Sequence, residues 1–422
     1  MDPIVASWLI IATFILGYIG IVFEFHIKVN KTGVALLLAA LCWLFYFVGG
    51  QPDHTLAMAK LNHHLSDISQ ILFFLLGAMT LVELIDTHRG FDTIIRLIKS
   101  RKKRIVLAVI TVMSFFLSSV LDNLTTSILM VSILRKLVPD RKERFPLCCM
   151  VVIAANAGGA WTPIGDVTTT MLWINGQVST LGVIKSLFIP SVVCAVVPFL
   201  IYAFQLKGSY AVPVNGGKIA EREPGATLVF VLGVLALIFV PIFKALTGLP
   251  PFMGILIGLA VLWLVTDALH YKHEHRQHLR IPQILTKIDT SAILFFLGIL
   301  LAIASLDSIG ILADVATWLD AHVRNVVEIA TAIGLASAIV DNVPLVAATM
   351  GMYDLTAYPM DSEMWLLIAY TAGTGGSILI VGSSAGVAIM GIEKIDFIAY
   401  LKKAALPAML GYFAGIGVYL LL

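Results

Sequence analysis

Apolar runs of bilayer-crossing length recur along the whole chain, separated by short polar stretches. A hydrocarbon core of roughly 30 Å takes about 20 helical residues. The pattern therefore predicts an all-α polytopic membrane protein. Simple spans are expected at 4–23, 33–49, 68–86, 183–206, 226–246, 251–269, 288–305 and 397–420. Four further apolar stretches, 105–138, 147–175, 326–351 and 364–392, carry polar or Gly-rich interruptions. The longest polar segments, 50–67, 207–225 and 270–287, are too short for a separate water-soluble domain. The first apolar run has no basic region before it and no small-residue cleavage site, so it reads as a retained span.

The interruptions come in pairs. Ser118-Ser119-Val120-Leu121-Asp122-Asn123 returns as Ser337-Ala338-Ile339-Val340-Asp341-Asn342, and Gly158-Gly159 with Gly165 returns as Gly375-Gly376 with Gly382. Ile71–Leu75 matches Ile293–Leu297, and Gly33 with Trp43 matches Gly254 with Trp263. The order is the same each time and the interval stays at about 220 residues, the mark of an internal repeat. The repeats are expected at 1–206 and 226–422, joined by a cytoplasmic linker over 207–225.

Charge suggests how each repeat sits. A straight helix over 105–138 would reach about 51 Å, far more than the bilayer needs. Arg101–Arg104 precede it and Arg135, Lys136, Arg141 and Lys142 follow, so a simple crossing would strand one basic cluster outside. A re-entrant hairpin with Asp122 at its tip keeps both clusters inside. The stretch 326–351 has acidic flanks instead: Asp307, Asp314 and Asp320 before, Asp354, Asp361 and Glu363 after. It should enter from outside. Of the 28 Lys and Arg residues, all but Lys60, Lys185, Lys244 and Arg324 then fall on the cytoplasmic side. The expected fold is thus two inverted-topology repeats, each with a re-entrant helical hairpin and a broken transmembrane helix.

Composition agrees. The chain is 59% hydrophobic and 13% charged, about half the charge of a soluble domain. A net charge of +2 offers no surface for nucleic acid. Cys42, Cys148, Cys149 and Cys194 lie in apolar stretches without metal-ligand spacing and read as small core residues. No Gly-x-Ser-x-Gly or His-Glu-x-x-His is present, which leaves an intramembrane hydrolase without a motif. No resident cofactor is expected.

Three carboxylates lie deep in apolar stretches: Asp122, Asp166 and Asp341. An ionised acid at mid-bilayer costs about 3 kcal/mol or more, so each needs a partner, a cation or a proton. Around them sit Asn123, Thr125, Asn156, Thr168, Thr169, Ser337, Asn342, Ser377 and Ser383. Carboxylate, amide and hydroxyl oxygens suit a small hard cation such as Na+ or Li+, centred on Asp122, Asp341 and the Asn156 region. Proton and cation would compete for the same oxygens. Glu83, Asp86 and His88, at the end of the third span, form a candidate proton entry or pH-sensing group beside the reading of an ordinary span boundary. His270, His273, His275 and His278 read as a solvated loop.

The segments Ser118–Thr126, Asn156–Trp173, Ser337–Leu345 and Val82–Phe91 resemble the NhaD-type Na+/H+ antiporters, within a wider superfamily of ion transporters. With proton and cation competing for the same oxygens, access is expected to alternate between the two sides of the membrane; the resemblance implies exchange of Na+ or Li+ for H+, a role at alkaline pH, a bacterial inner membrane and a homodimer. At matching positions it implies functional roles for Asp122, Thr125, Asn156, Asp166, Thr168, Thr169, Ser337, Asp341 and Asn342. The competing reading is an anion or neutral-solute carrier of the same superfamily, for arsenite or a dicarboxylate.

Overall fold

A computed structural model of the chain describes residues 2–50, 54–91, 100–210, 223–323 and 325–422. Most of the linker expected at 207–225, and Arg324, lie outside these residues. The regular secondary structure of the described part is helical apart from one isolated bridge between Lys102 and Ser209. Eight of its helices are long and apolar enough to cross a membrane.

In chain order the principal helices are α1 (Pro3–Val22), α2 (Lys31–Phe45), α3 (His54–Thr87), α4 (Lys103–Leu121), α5 (Asn123–Leu137), α6 (Arg141–Ala160), α7 (Val167–Ile174), α8 (Thr180–Gln205) and α9 (Ala226–Thr247). They continue as α10 (Pro251–His270), α11 (Thr290–Ser308), α12 (Ile311–His322), α13 (Val326–Ala336), α14 (Asn342–Met352), α15 (Glu363–Gly375), α16 (Ser384–Glu393) and α17 (Leu406–Tyr419). Large apolar side chains lie exposed along the outer helices, among them Trp8 and Leu16 on α1, Leu235 and Phe239 on α9, and Leu264 on α10. Asn156, Asp166, Thr168 and Thr169 are buried. An apolar exterior around a polar centre is stable in lipid, where a water-soluble protein would leave so broad a patch unsatisfied.

Two expectations need correction. Residues 54–67 were expected to be a polar connection; they are the first four turns of α3, a continuous helix of 34 residues. Its Ala, Leu, Met and Lys residues are strong helix formers, and a helix can project past the bilayer with no break in its backbone bonding. His270 is not in a solvated loop: it ends α10, fully buried.

The stretch 105–138 does fold back on itself at Asp122. Lys103 at the start of α4 pairs with Glu143 at 2.7 Å, and Val138 just past α5 accepts from Arg144 at 2.7 Å. Both ends of the stretch thus reach neighbouring residues at the start of α6, so α4 and α5 leave Asp122 toward the same face. In the other half, Tyr353 at the end of α14 donates to Asp320, shortly before α13, and packs on Tyr358 near the start of α15.

The two broken helices run in opposite directions. Helix α6 starts where Arg144 meets Glu393, the last residue of α16. Beyond α7, Ser179 N–H donates to Asp361, which leads into α15. The first broken helix therefore ends on the face where the second begins. Lys103, Arg135, Arg141, Arg144, Lys394 and Lys403 gather at the opposite face, where the first begins. That face is called basic below.

Candidate functional site

The repeated glycines bring helices together more closely than any side chain would allow. A Cβ on Gly158 would lie 2.1 Å from the Phe115 carbonyl oxygen of α4; one on Gly375 would lie 2.0 Å from that of Gly334 on α13. The repeated serines finish each contact. Ser118 Oγ donates to the Ala155 carbonyl at 2.6 Å, and Ser337 Oγ to that of Ala372 at 2.8 Å. These two bonds join the first hairpin arm to the first part of the broken helix in each half. The hydroxyl proton of Ser337 is therefore spent on Ala372.

With the backbones pressed together, four interruptions meet. Asp166 is the N-cap of α7 and accepts from Thr168 N–H at 3.1 Å. Its Oδ2 accepts from Asn123 at 3.0 Å and from Asn342 at 3.3 Å, so the amides beside both hairpin tips converge on one carboxylate. Asn123 also donates to Asn156 Oδ1 at 3.0 Å. Asn156 Nδ2 in turn donates to Ser377 and Ser383, each at 2.9 Å. Asn123, Asn156, Asp166, Asn342, Ser377 and Ser383 thus form one buried network.

The two halves contribute unequally. By the glycine register Asn156 corresponds to Gly373 and Asp166 to Ser383. The structure pairs them crosswise: Asn156 reaches Ser383, and Gly373 faces Asp166, with a Cβ position 3.6 Å from Oδ2. The second half keeps the backbone geometry but supplies a hydroxyl and empty space where the first supplies a carboxylate and an amide.

The hairpin aspartates also differ. Asp122 has φ 110°, a left-handed conformation that disfavours side chains, and caps α5 by accepting from Thr125 N–H at 2.6 Å and Thr125 Oγ at 3.1 Å. Asp341 makes no such cap. Among the described residues its Oδ1 is buried without a hydrogen-bond partner, and Oδ2 lies 3.8 Å from Lys31 Nζ. The hydroxyls of Thr168 and Thr169 are likewise buried and unpaired.

A cavity of about 600 Å3 reaches from the basic face down to Asp341, Thr125 and Ser384. Its wall carries Glu24, Glu83, Asp86, Asp289 and Asp341 against Lys31 and Lys287. Of the candidate entry group, Glu83 and Asp86 line this cavity, and Glu83 accepts from Thr87 Oγ at 3.1 Å. His88 is buried away from it, with Nδ1 2.8 Å from the Leu84 carbonyl and Nε2 3.1 Å from His270 Nε2.

A family model described as citrate transporter (CitMHS) matches residues 18–367. The chain belongs to this transporter family. The resemblance to NhaD-type antiporters extends over almost its whole length: Na(+)/H(+) antiporter NhaD of Vibrio cholerae is 31% identical over 97% of the chain and 90% of that protein. Sodium/proton antiporter 1 of Arabidopsis thaliana is 54% identical over 96% of the chain and 70% of the relative. Sodium/proton antiporter 2 of the same plant is 52% identical over 96% and 97%. The polar network is therefore the interior of a multi-pass membrane transporter.

Lys31 is, with Glu24, Lys287 and Asp289, among the charged cavity residues that sequence reasoning passed over. It opens α2, and nothing local distinguishes it from other lysines at helix starts; its relation to Asp341 spans 310 positions of sequence.

Proposed function

We propose that this transporter exchanges Na+ for H+ by alternating access, and that Li+ can replace Na+. The observation that carries the reading is the meeting of four helix interruptions around Asp166, beside an Asp341 carboxylate with a bare oxygen at the base of a cavity. Irregular backbone at membrane depth is stable only inside protein or against water, and broken helices meeting there are a recurrent ion site in secondary transporters. The antiporter relatives supply the same ions.

In this mechanism Asn123 and Asn342 orient Asp166 between the two hairpins. A cation entering along the acidic cavity passes the wall carboxylates and reaches Asp341 at its base. Carboxylate, amide and hydroxyl oxygens then replace its water. A proton neutralises the same carboxylates, so binding one substrate expels the other. The opposite courses of α6–α7 and α15–α16 support the inverted-repeat reading, with halves at 1–206 and 226–422, and rocking of one half against the other would open the second face. By the positive-inside bias the basic face is cytoplasmic. The bacterial inner membrane and the homodimer belong to this proposal as expectations of the NhaD likeness; the two relatives named above at 54% and 52% identity are plant proteins.

The family description favours a second reading, transport of a carboxylate anion such as citrate. The cavity argues against it, because five carboxylates and two lysines make a repulsive path for a polyanion. One experiment separates the readings. Vesicles holding the protein should show Na+-driven dequenching of a pH dye, abolished by Asp122→Asn or Asp341→Asn, and no response to citrate or succinate. Exchange like that of the wild type in both variants would sink the cation reading.

A further inference from the structure

Lys31 brings a positive charge to one hairpin aspartate and not the other. Its ammonium lies 3.8 Å from Asp341 Oδ2 and 4.5 Å from the centroid of the Phe295 ring. The first distance is within ion-pair range but too long for a hydrogen bond. Lys31 therefore neutralises Asp341 without occupying its lone pairs, and Asp341 Oδ1 has no hydrogen-bond partner among the described residues. Both side chains are mostly covered, 27% and 14% exposed, where charges are screened less than at an open surface. Helix α2 is anchored independently of the ammonium: Asn30 caps it by accepting from Thr32 N–H at 2.8 Å, and Lys31 N–H donates to Glu24 at 3.3 Å.

The repeat shows what this position needs for packing alone. By the register of Gly33 with Gly254, Lys31 corresponds to Phe252; by the register of Ile71–Leu75 with Ile293–Leu297, Phe295 corresponds to Phe73. Phe73 and Phe252 pack together with ring centroids 6.3 Å apart. The Lys31–Phe295 contact is thus the counterpart of an apolar ring pair, with a cation in place of one ring. The fold is satisfied by Phe, so the charge is an addition to it. Asp122, on the other hairpin, is satisfied by Thr125.

We propose that the Lys31 ammonium is a tethered cation that competes with Na+ for Asp341, and so sets the affinity for Na+ entering through the cavity on the basic face. Held on a flexible stem against the Phe295 ring, it withdraws as Na+ takes Asp341 and returns as Na+ leaves. It thereby spares Asp341 an uncompensated charge and keeps Na+ from being held too tightly. Lys31 is in this sense a positioning and affinity-setting residue, and the proposal rests on the Na+/H+ reading above.

The test is Na+-driven dequenching in everted vesicles, where added Na+ meets the cytoplasmic face. Lys31→Gln should lower the apparent KM for Na+ by about three- to tenfold, the size of a partly covered ion pair, without raising kcat. Lys31→Arg should keep the wild-type KM. Should Lys31→Gln fail to fold or to transport, Lys31→Cys is assayed before and after reaction with a cationic methanethiosulfonate, which restores an ammonium and should raise KM; an anionic reagent should not. An unchanged or higher KM in Lys31→Gln, or no change when the cation is attached to Lys31→Cys, overturns the proposal. A wild type that does not respond to Na+ in the same vesicles overturns the antiport reading and this inference with it.

Discussion

The amide of Asn123 donates to Asp166 at 3.0 Å, tying the tip of the first hairpin to the break in the helix beside it. The same nitrogen reaches Asn156 Oδ1, also at 3.0 Å, so one side chain supports Asn156 and Asp166, which flank the break in that helix. Removing it leaves a buried carboxylate and a buried amide oxygen each short of a donor, at about 1–3 kcal/mol per orphaned group. Asn123→Ala should lower the thermal midpoint of the purified protein and reduce exchange in vesicles at least about tenfold. Wild-type flux in this variant would show that Asp166 needs no such orientation.

The close helix crossings make an internal control. Gly158→Ala and Gly375→Ala each force a methyl group onto a backbone carbonyl oxygen, and both should destabilise the protein by about 1–3 kcal/mol or more. Gly417→Ala meets no atom within 4 Å and, on a helix, should be neutral or stabilising by up to about 1 kcal/mol. Thermal unfolding of the three variants in one detergent reads the difference. Equal midpoints would contradict the crossings described.

Glu393 joins the halves at the basic face. It is buried and bonded to Arg144 at 2.7 Å and to Arg135 at 2.6 Å. Arg144 is buried as well, while Arg135 is half exposed. Glu393→Ala leaves the buried guanidinium without its counter-charge and should cost about 3–5 kcal/mol. Arg135→Ala should cost no more than about 1 kcal/mol. Chemical or thermal denaturation that ranks the two variants the other way would refute this account of the cluster.

His88, just beyond α3, predicts a direction with pH. Burial holds its ring below the ordinary histidine range, against the opposing effect of the bond to Leu84. In the unfolded chain an imidazole titrates near pH 6.5. As pH falls through that value the unfolded state gains a proton that the folded state does not accept, so stability declines on acidification. His88→Gln should flatten the fall in thermal midpoint between about pH 7 and about pH 5. Identical slopes in variant and wild type would remove His88 as its source.

Much of this transporter was legible in the sequence because a bilayer imposes local rules. Backbone polar groups must pair within a helix, so each crossing shows itself as an apolar run, and each departure from it as glycine, proline or a buried acid. The hairpin with Asp122, the interruptions at Gly158–Asp166 and Gly375–Ser383, and the repeat that relates them were readable in that way. The polar residues 54–67 were misread because composition reports solvent, and a helix extends into water as readily as a loop does.

Which polar groups meet was decided by the tertiary structure. No spacing in the chain indicates that Asn156 pairs with Ser383, that Asn123 and Asn342 share Asp166, or that His88 faces His270. The repeat implied symmetry, whereas the folded chain sets a carboxylate opposite a glycine and a lysine beside one aspartate alone. The physical reason is range: a helix is specified by neighbours three or four residues away, but a site at the centre of a bundle is specified by how far each helix sinks between the others. That depth depends on glycines, rings and carbonyls tens to hundreds of positions apart.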